Sequence, residues 1–247
     1  MKIMKKSMLT LSIILLTGCA SMQTKAVIPE GINESSYQGY RTIDPLPVSK
    51  VKKYDSSTNT EKEVYWASIS DKKEKRSLLP IQSSQVSVKK LDRSGNVSYL
   101  TASISGETGE YSVVMDYMKY RVEEVLDSTG KFLGNGRIGV GLRIKAEVKT
   151  NKANLNLGSI LSLGIEANQG NLSGGISVDI IGIDSEGVTN LIPMTSEIDQ
   201  TAIQSALQAL ASVKAKLWEK DVTITPHLVA ITDATPSNEE EIRKLAK

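Results

Sequence analysis

A chain of 247 residues with one cysteine, one histidine, one phenylalanine and two tryptophans has little from which to build catalytic or metal chemistry. A single cysteine cannot close an intrachain disulfide, so stability has to come from packing. Zinc sites draw on several Cys and His ligands, and with His227 the lone imidazole no metal site is assigned. Ser-His-Asp or Cys-His catalysis would hang on that same histidine, beside Pro226 in a stretch that reads as a strand. Sugar clefts are commonly lined with aromatic rings. Trp66, Trp218, Phe132 and eight tyrosines are a thin supply, which weakens the case for a glycosidase built on paired carboxylates. A helix that spans a bilayer takes about 20 apolar residues. The Met8 to Leu16 run falls well short and is interrupted by Thr10 and Ser12.

That run has a different meaning. Lys2, Lys5 and Lys6 precede it and Leu16-Thr17-Gly18-Cys19 follows it, the basic, apolar and small-residue zones of an export leader in the right order. The segment resembles the lipobox of bacterial lipoproteins. The resemblance covers only the first 20 or so residues and carries no information on the fold beyond them. It implies cleavage before Cys19, a diacylglycerol thioether on its sulfur and a further acyl chain, such as palmitate, on its freed amino group. Each buried methylene contributes about 0.8 kcal/mol, so two or three chains hold a soluble domain on a membrane without any transmembrane helix. Ala20 stands where an aspartate would signal inner-membrane retention in lipoproteins of the enteric type, so the expected address is the outer membrane, facing the periplasm.

Loss of the leader also changes the charge. The whole chain carries 30 basic and 28 acidic residues, but the mature part keeps 27 and 28. A near-neutral mixture of signs gives no concentrated basic face, and nucleic-acid binding is excluded on that ground.

From Ala20 to Val48 the chain is polar, with three prolines and two glycines and no apolar period, and it reads as a flexible tether. Strands are expected over Glu63 to Ile69, Val86 to Leu91, Asn96 to Ile104 and Tyr111 to Leu126, the last over a competing helical pattern. Three Asp-x-x-Gly turns, at Asp127 to Gly130, Asp92 to Gly95 and Asp184 to Gly187, point to antiparallel hairpins. They lack the ligand density of a calcium loop. From Ile138 to Val148 every second residue is apolar, which dictates a long strand with one apolar face. Leu155 to Ala167 is a short helix or a strand, and Leu172 to Ile183 alternates again. Ile198 to Glu219 has helical spacing with Ser196 or Asp199 as cap. Val222 to Ile231 is a final strand that Pro226 places at an edge or beside a bulge. Ser237-x-x-Glu240 opens a short charged helix at the C-terminus.

Three further patterns fall to simpler explanations. Gly134-Asn135-Gly136-Arg137-Ile138-Gly139 spells the dinucleotide fingerprint but leads into a strand, where that motif must open a helix. Ser70-x-x-Lys73 and Ser87-x-x-Lys90 have the spacing of an acyl-transfer dyad, a spacing that a Ser- and Lys-rich chain produces by chance. Glu123-Glu124 and Glu239-Glu240-Glu241 read as solvated surface.

The expectation is therefore an α+β, β-rich fold of mostly antiparallel sheet, meander or sandwich-like, with one main amphipathic helix near 198–219. Its parts are a leader over 1–18, the lipidated terminus and tether over 19–48, a Tyr-containing β region over 49–130, a Gly-rich β region with its packing helix over 131–233, and a charged tail over 234–247. No catalytic, cofactor-binding or metal residue is assigned; Cys19 is the one site. The expected function is that of a non-enzymatic outer-membrane lipoprotein that binds an envelope protein or polymer, with oligomerisation left open. The alternatives are an oligomeric secretion or pore subunit that inserts the Ile138 to Val148 strand as part of a hairpin, with Arg143, Lys145, Glu147 and Lys149 facing water, and a periplasmic hydrolase.

Overall fold

The computed structural model describes residues 34–36, 39–91, 97–100, 105–185, 196–219, 221–232, 241–242 and 244. The leader with Cys19, the Asp92 to Gly95 turn, the second half of the Asp184 to Gly187 turn and the Ser237 to Glu240 capping box lie outside them. In chain order the strands are β1 (Glu34–Ser36), β2 (Tyr40–Pro47), β3 (Lys50–Asp55), β4 (Thr60–Tyr65), β5 (Ile81–Leu91), β6 (Val97–Leu100), β7 (Ser105–Gly106), β8 (Gly109–Leu126), β9 (Phe132–Thr150), β10 (Leu155–Asn156), β11 (Leu172–Ile181), β12 (Ile183–Asp184), β13 (Ser196–Glu197), β14 (Thr223–Ile224) and β15 (His227–Thr232). The helices are α1 (Lys72–Leu78), α2 (Ile160–Asn168) and α3 (Gln200–Lys216). The chain is α+β and β-rich, and all its strand pairs but one are antiparallel among the described residues.

The organising element is the β8–β9 hairpin, paired from Gly109 opposite Thr150 to Leu126 opposite Phe132. Asp127 makes its turn: the carboxylate accepts from the Thr129 N–H (2.8 Å) and hydroxyl (2.6 Å) and from the Lys131 N–H (2.9 Å), while Gly130 adopts φ +84°. Since residue 130 is the hairpin tip, the regions 49–130 and 131–233 are not separate bodies. They share one sheet across the longest strand pair in the fold.

Alternation gives the hairpin two faces. Tyr111, Val113, Met115 and Tyr117 of β8 lie beside Leu142, Ile144, Ala146 and Val148 of β9, and all are buried with residues of α2 and α3 in the main core. Ile203, Ala206, Leu207, Leu210 and Val213 recur at helical spacing and turn one stripe of α3 into that core. Each large apolar side chain so buried contributes about 1.5–3 kcal/mol. Asp199 caps the helix, accepting from the Ala202 N–H at 2.6 Å. Asp199→Ala is expected to destabilise the protein by about 1 kcal/mol, read as a lower urea midpoint with an unchanged slope.

On its other edge β9 is shared. β11 pairs with Gly141 to Thr150, and β15 with Gly136 to Gly139. β15 then carries β2 on its far side. The β15–β2 pair folds back over the second face of the sheet. The Lys89 ammonium on β5 donates to the Thr42 carbonyl at 3.4 Å, and Arg143 on β9 donates to the Ile43 carbonyl at 2.6 Å.

The tether therefore ends earlier than its composition implies. Tyr40 to Pro47 is a strand of the main sheet, and Glu34 to Ser36 pairs in parallel with Ser84 to Val86. The expected strand at Glu63 to Ile69 gives way after Tyr65 to a 3-10 turn, Trp66 to Ser68, because the buried indole turns inward and donates to the Ile224 carbonyl at 2.5 Å. Leu155 to Ala167 resolves into the two-residue β10 followed by α2. Pro226 precedes β15, which is no edge: it runs between β2 and β9 and carries a bulge between Leu228 and Ala230. The charged tail docks in part, for Ile242 is 2% exposed beside Val125, Leu133 and Ile231.

Candidate functional site

Polar residues of the second sheet face are not all in water. Asp116 of β8 and Arg143 of β9 stand directly opposite each other, 1% and 5% exposed, joined by two hydrogen bonds of 2.7 and 2.8 Å. The same guanidinium donates to the carbonyls of Ile43 and Val229, so one side chain binds β8, β9, β2 and β15 together. Nearby Arg137, 8% exposed, lays its guanidinium 4.0 Å from the Tyr40 ring and 5.2 Å from that of Tyr120. Room for this layer comes from Gly139 and Gly141. Their cross-strand partners Tyr120 and Met118 are buried on the same face.

Above Arg143 a groove of about 300 Å³ opens between β2 and the sheet. Thr42 and Asp44 form one wall, Lys89 and Ser112 the other, and Lys145, Glu147 and Asp179 continue the floor. Both signs of charge are present, and Lys145 pairs with Glu147 at 3.0 Å. Such a lining suits a polar or peptide-like ligand held by hydrogen bonds and ion pairs. It offers no nucleophile hydrogen-bonded to a base. A second crevice, of about 250 Å³, has an apolar floor of Leu46, Val125, Ile138 and Leu228 and a rim of Lys50, Glu123 and Glu124.

Glu123 corrects the reading of Glu123-Glu124 as solvated surface. Glu124 is 61% exposed in its side chain, but Glu123 is 9% exposed and pairs with Arg121 at 2.7 Å. Its carboxylate accepts from the Lys52 N–H at 3.0 Å while Arg121 donates to the Lys52 carbonyl. Two side chains thus hold both backbone polar groups of Lys52 in β3 against the β8 edge. Burial raises the Glu123 pKa above its ordinary value, against the lowering effect of Lys52 and Arg121.

The remaining sequence candidates do not assemble. His227 is the first residue of β15, its Nδ1 2.9 Å from the Thr225 carbonyl. Ser87 and Lys90 are three apart on β5 and so on opposite faces; Lys90 pairs with Glu107 at 2.7 Å. Ser70 precedes the Asp71 cap of α1, and Lys73 is exposed within that helix. Gly134 to Gly139 lies wholly inside β9, and no helix follows among the described residues until Ile160. Among those residues there is no cluster of three or more His, Cys, Asp or Glu side chains able to hold a metal ion. The Asp127 oxygens are turned into their own loop, and those hydrogen bonds, the Thr129 hydroxyl foremost, hold its carboxyl below the usual pKa. The apolar face of β9, which a pore would turn to lipid, is buried within the protein: Leu142, Ile144, Ala146 and Val148 pack with α2 and α3, Val140 with Val51 and Trp66, and Ile138 with Val125 and Leu228.

Sequence reasoning placed Arg143 in water and passed over Asp116. The usable clue was the even-numbered face of β8, where Asp116 interrupts Val114, Met118 and Tyr120. An acid in an otherwise apolar row requires a buried partner. No protein-family profile matches the chain, and no curated protein or solved structure is significantly similar to it.

Proposed function

We propose that this protein is a non-enzymatic lipoprotein, anchored through acyl chains on Cys19 to the periplasmic face of the outer membrane, that binds or assembles a component of the cell envelope. The observation that carries this reading is the ordered leader ending in Leu16-Thr17-Gly18-Cys19. Two features support binding over turnover. The groove beside β2 is open and carries charges of both signs, and the buried Arg143 guanidinium at its base is committed to the Asp116 carboxylate. A protein or polymer of the envelope with alternating polar and charged groups fits that lining.

Cys19→Ser is expected to abolish incorporation of labelled palmitate and, since cleavage follows lipidation in lipoproteins, to leave an unprocessed chain that keeps its leader and is lost from the outer-membrane fraction. A wild-type chain that is processed without taking up label would sink the anchoring part. For the binding part, a photo-crosslinker at Asp179, exposed on the groove floor, is expected to yield one discrete adduct in intact cells. Catalytic turnover of a small substrate with no adduct would overturn it.

A further inference from the structure

The direction in which the chain enters the sheet sets which end of the molecule faces its anchor. β1 runs parallel to β5, Glu34 opposite Ser84 and Ser36 opposite Val86, so the chain reaches Glu34 from the Ile81 end of β5. Ile81 in turn lies opposite Tyr120. Beyond that level β5 stops and the β8–β9 hairpin continues past it, from Arg121 to Leu126 and back from Phe132, with Lys52 of β3 against Arg121 and Glu123. At about 3.3 Å per residue the overhang is about 20 Å. The tip therefore points to the side from which the chain arrives.

The same end is where apolar surface is exposed. Leu126 and Phe132, partners across the hairpin, are 44% and 49% exposed, with Val122 at 42% and Ile81 at 40%. Tyr54 and Tyr65, 58% and 59% exposed, stand on the β3–β4 hairpin that Arg121 and Glu123 grip. Only two other large apolar side chains among the described residues are comparably exposed, Leu91 and Ile165. Charge agrees with this polarity. Residues 50–76, which form β3, β4 and α1, hold eight basic and five acidic side chains in a chain otherwise near neutral, and Lys131 adds a cation at the tip.

We propose that this end of the sheet is a second membrane contact, in which Leu126 and Phe132 at the hairpin tip enter the interface of a phospholipid leaflet and Lys131 and Lys50 meet its phosphates. The proposal rests on the lipid anchor at Cys19. The about 15 residues from Cys19 to Glu34 span about 50 Å fully extended and about 20 Å as a flexible coil. Leu126 lies about 30 Å beyond the level of Glu34, nine residues past Tyr117, so the anchor can hold the tip at the bilayer surface. The acids nearby are paired: Asp127 is hydrogen-bonded within its turn beside Lys131, Glu124 lies 3.7 Å from Lys52, and Glu63 lies 3.5 Å from Lys50, a surface pair that is weak enough to exchange for a phosphate. Docked this way, the groove at Lys145 and Glu147 stands about 45 Å up β9 from the tip, clear of the headgroups and open to a periplasmic partner.

The test uses the full lipidated protein in vesicles of phosphatidylethanolamine and phosphatidylglycerol. With Cys19 acylated, an introduced cysteine is the single free thiol. Ser128→Cys at the tip and Lys152→Cys just past the far end of β9 each receive an environment-sensitive fluorophore. The expected result is blue-shifted emission at 128, quenched at least twofold by brominated lipids, with no quenching at 152. Leu126→Ser with Phe132→Ser should abolish the quenching at 128 while the protein still floats with the vesicles. If the protein floats and position 128 emits as in water, the tip contact is overturned and the anchor stands. If wild-type protein does not float, the anchor falls and this contact with it.

Discussion

Asp116→Ala is expected to lower stability by about 3–5 kcal/mol, because it leaves the Arg143 guanidinium buried without its counter-charge. For a folded part of this size, that corresponds to a fall of roughly 6–20 °C in Tm at about 2–4 °C per kcal/mol, measured by circular dichroism. The carbonyls of Ile43 and Val229 still accept from Arg143 and moderate the loss without replacing a full negative charge. If burial of an unpaired charge is the cause, the double variant Asp116→Leu with Arg143→Met should recover most of the loss, since replacing both ions by apolar groups of similar size removes the desolvation cost along with the pair. Amide exchange adds a local readout. Protection at Thr42 to Asp44 should fall in the double variant, because it lacks the Arg143 guanidinium that donates to the Ile43 carbonyl and helps tie β2 down over the sheet. A loss under 1 kcal/mol for Asp116→Ala would mean that Arg143 swings out to water, and would remove the network from any account of how the groove is shaped.

Gly141→Ala should cost about 3 kcal/mol, the upper end for overpacking. A Cβ at that position would collide with the Tyr117 carbonyl oxygen and sit 2.8 Å from the Met118 sulfur, and the first of these is backbone of the neighbouring strand, which cannot rotate away. Gly175→Ala is the matched control one strand over. There the nearest atom is the Ser196 carbonyl oxygen at 3.7 Å, an ordinary contact. Removing a glycine from a strand at such a site is expected to be neutral or to stabilise by about 0.5–1 kcal/mol. Equal effects of the two substitutions in denaturant titrations would show that the close approach at Gly141 relaxes at little cost.

These residues also mark where the sequence could be read. The alternation from Ile138 to Val148, the stripe on α3 with its Asp199 cap and the Asp127 turn are local patterns, and each became the expected element. The polar half of β9 was misread because alternation shows only that two faces differ. Whether the second face meets water depends on what crosses it, and β2 crosses it from a segment whose Pro45 and Pro47 disguise a strand. Residue 130 looked like a boundary because tyrosines precede it and glycines follow; in fact the Tyr-bearing β8 and the Gly-bearing β9 are paired along their length, with Tyr120 directly opposite Gly139. The helix α1 was missed: Asp71-Lys72-Lys73-Glu74 holds a capping residue and an acid in the first turn, but seven residues with no buried side chain leave no apolar period to find. Nothing local could pair Asp116 with Arg143 before the register of the hairpin was known.

The partnership of β2 with β15 has a temporal side. Thr42 is made early and its partner Ala230 near the end, 188 positions later. At about 5–20 residues per second, β2 waits roughly 10–40 s for the strand that completes it. Through that interval it is an unsatisfied edge, open to pairing with other chains. Pro45 and Pro47 lack the N–H groups such pairing needs, and prolines are a common safeguard on exposed edges. The residues that hid this strand from pattern reading thus also suit it to a long unpaired delay, and the polar layer around Arg143 closes only once the last strand arrives.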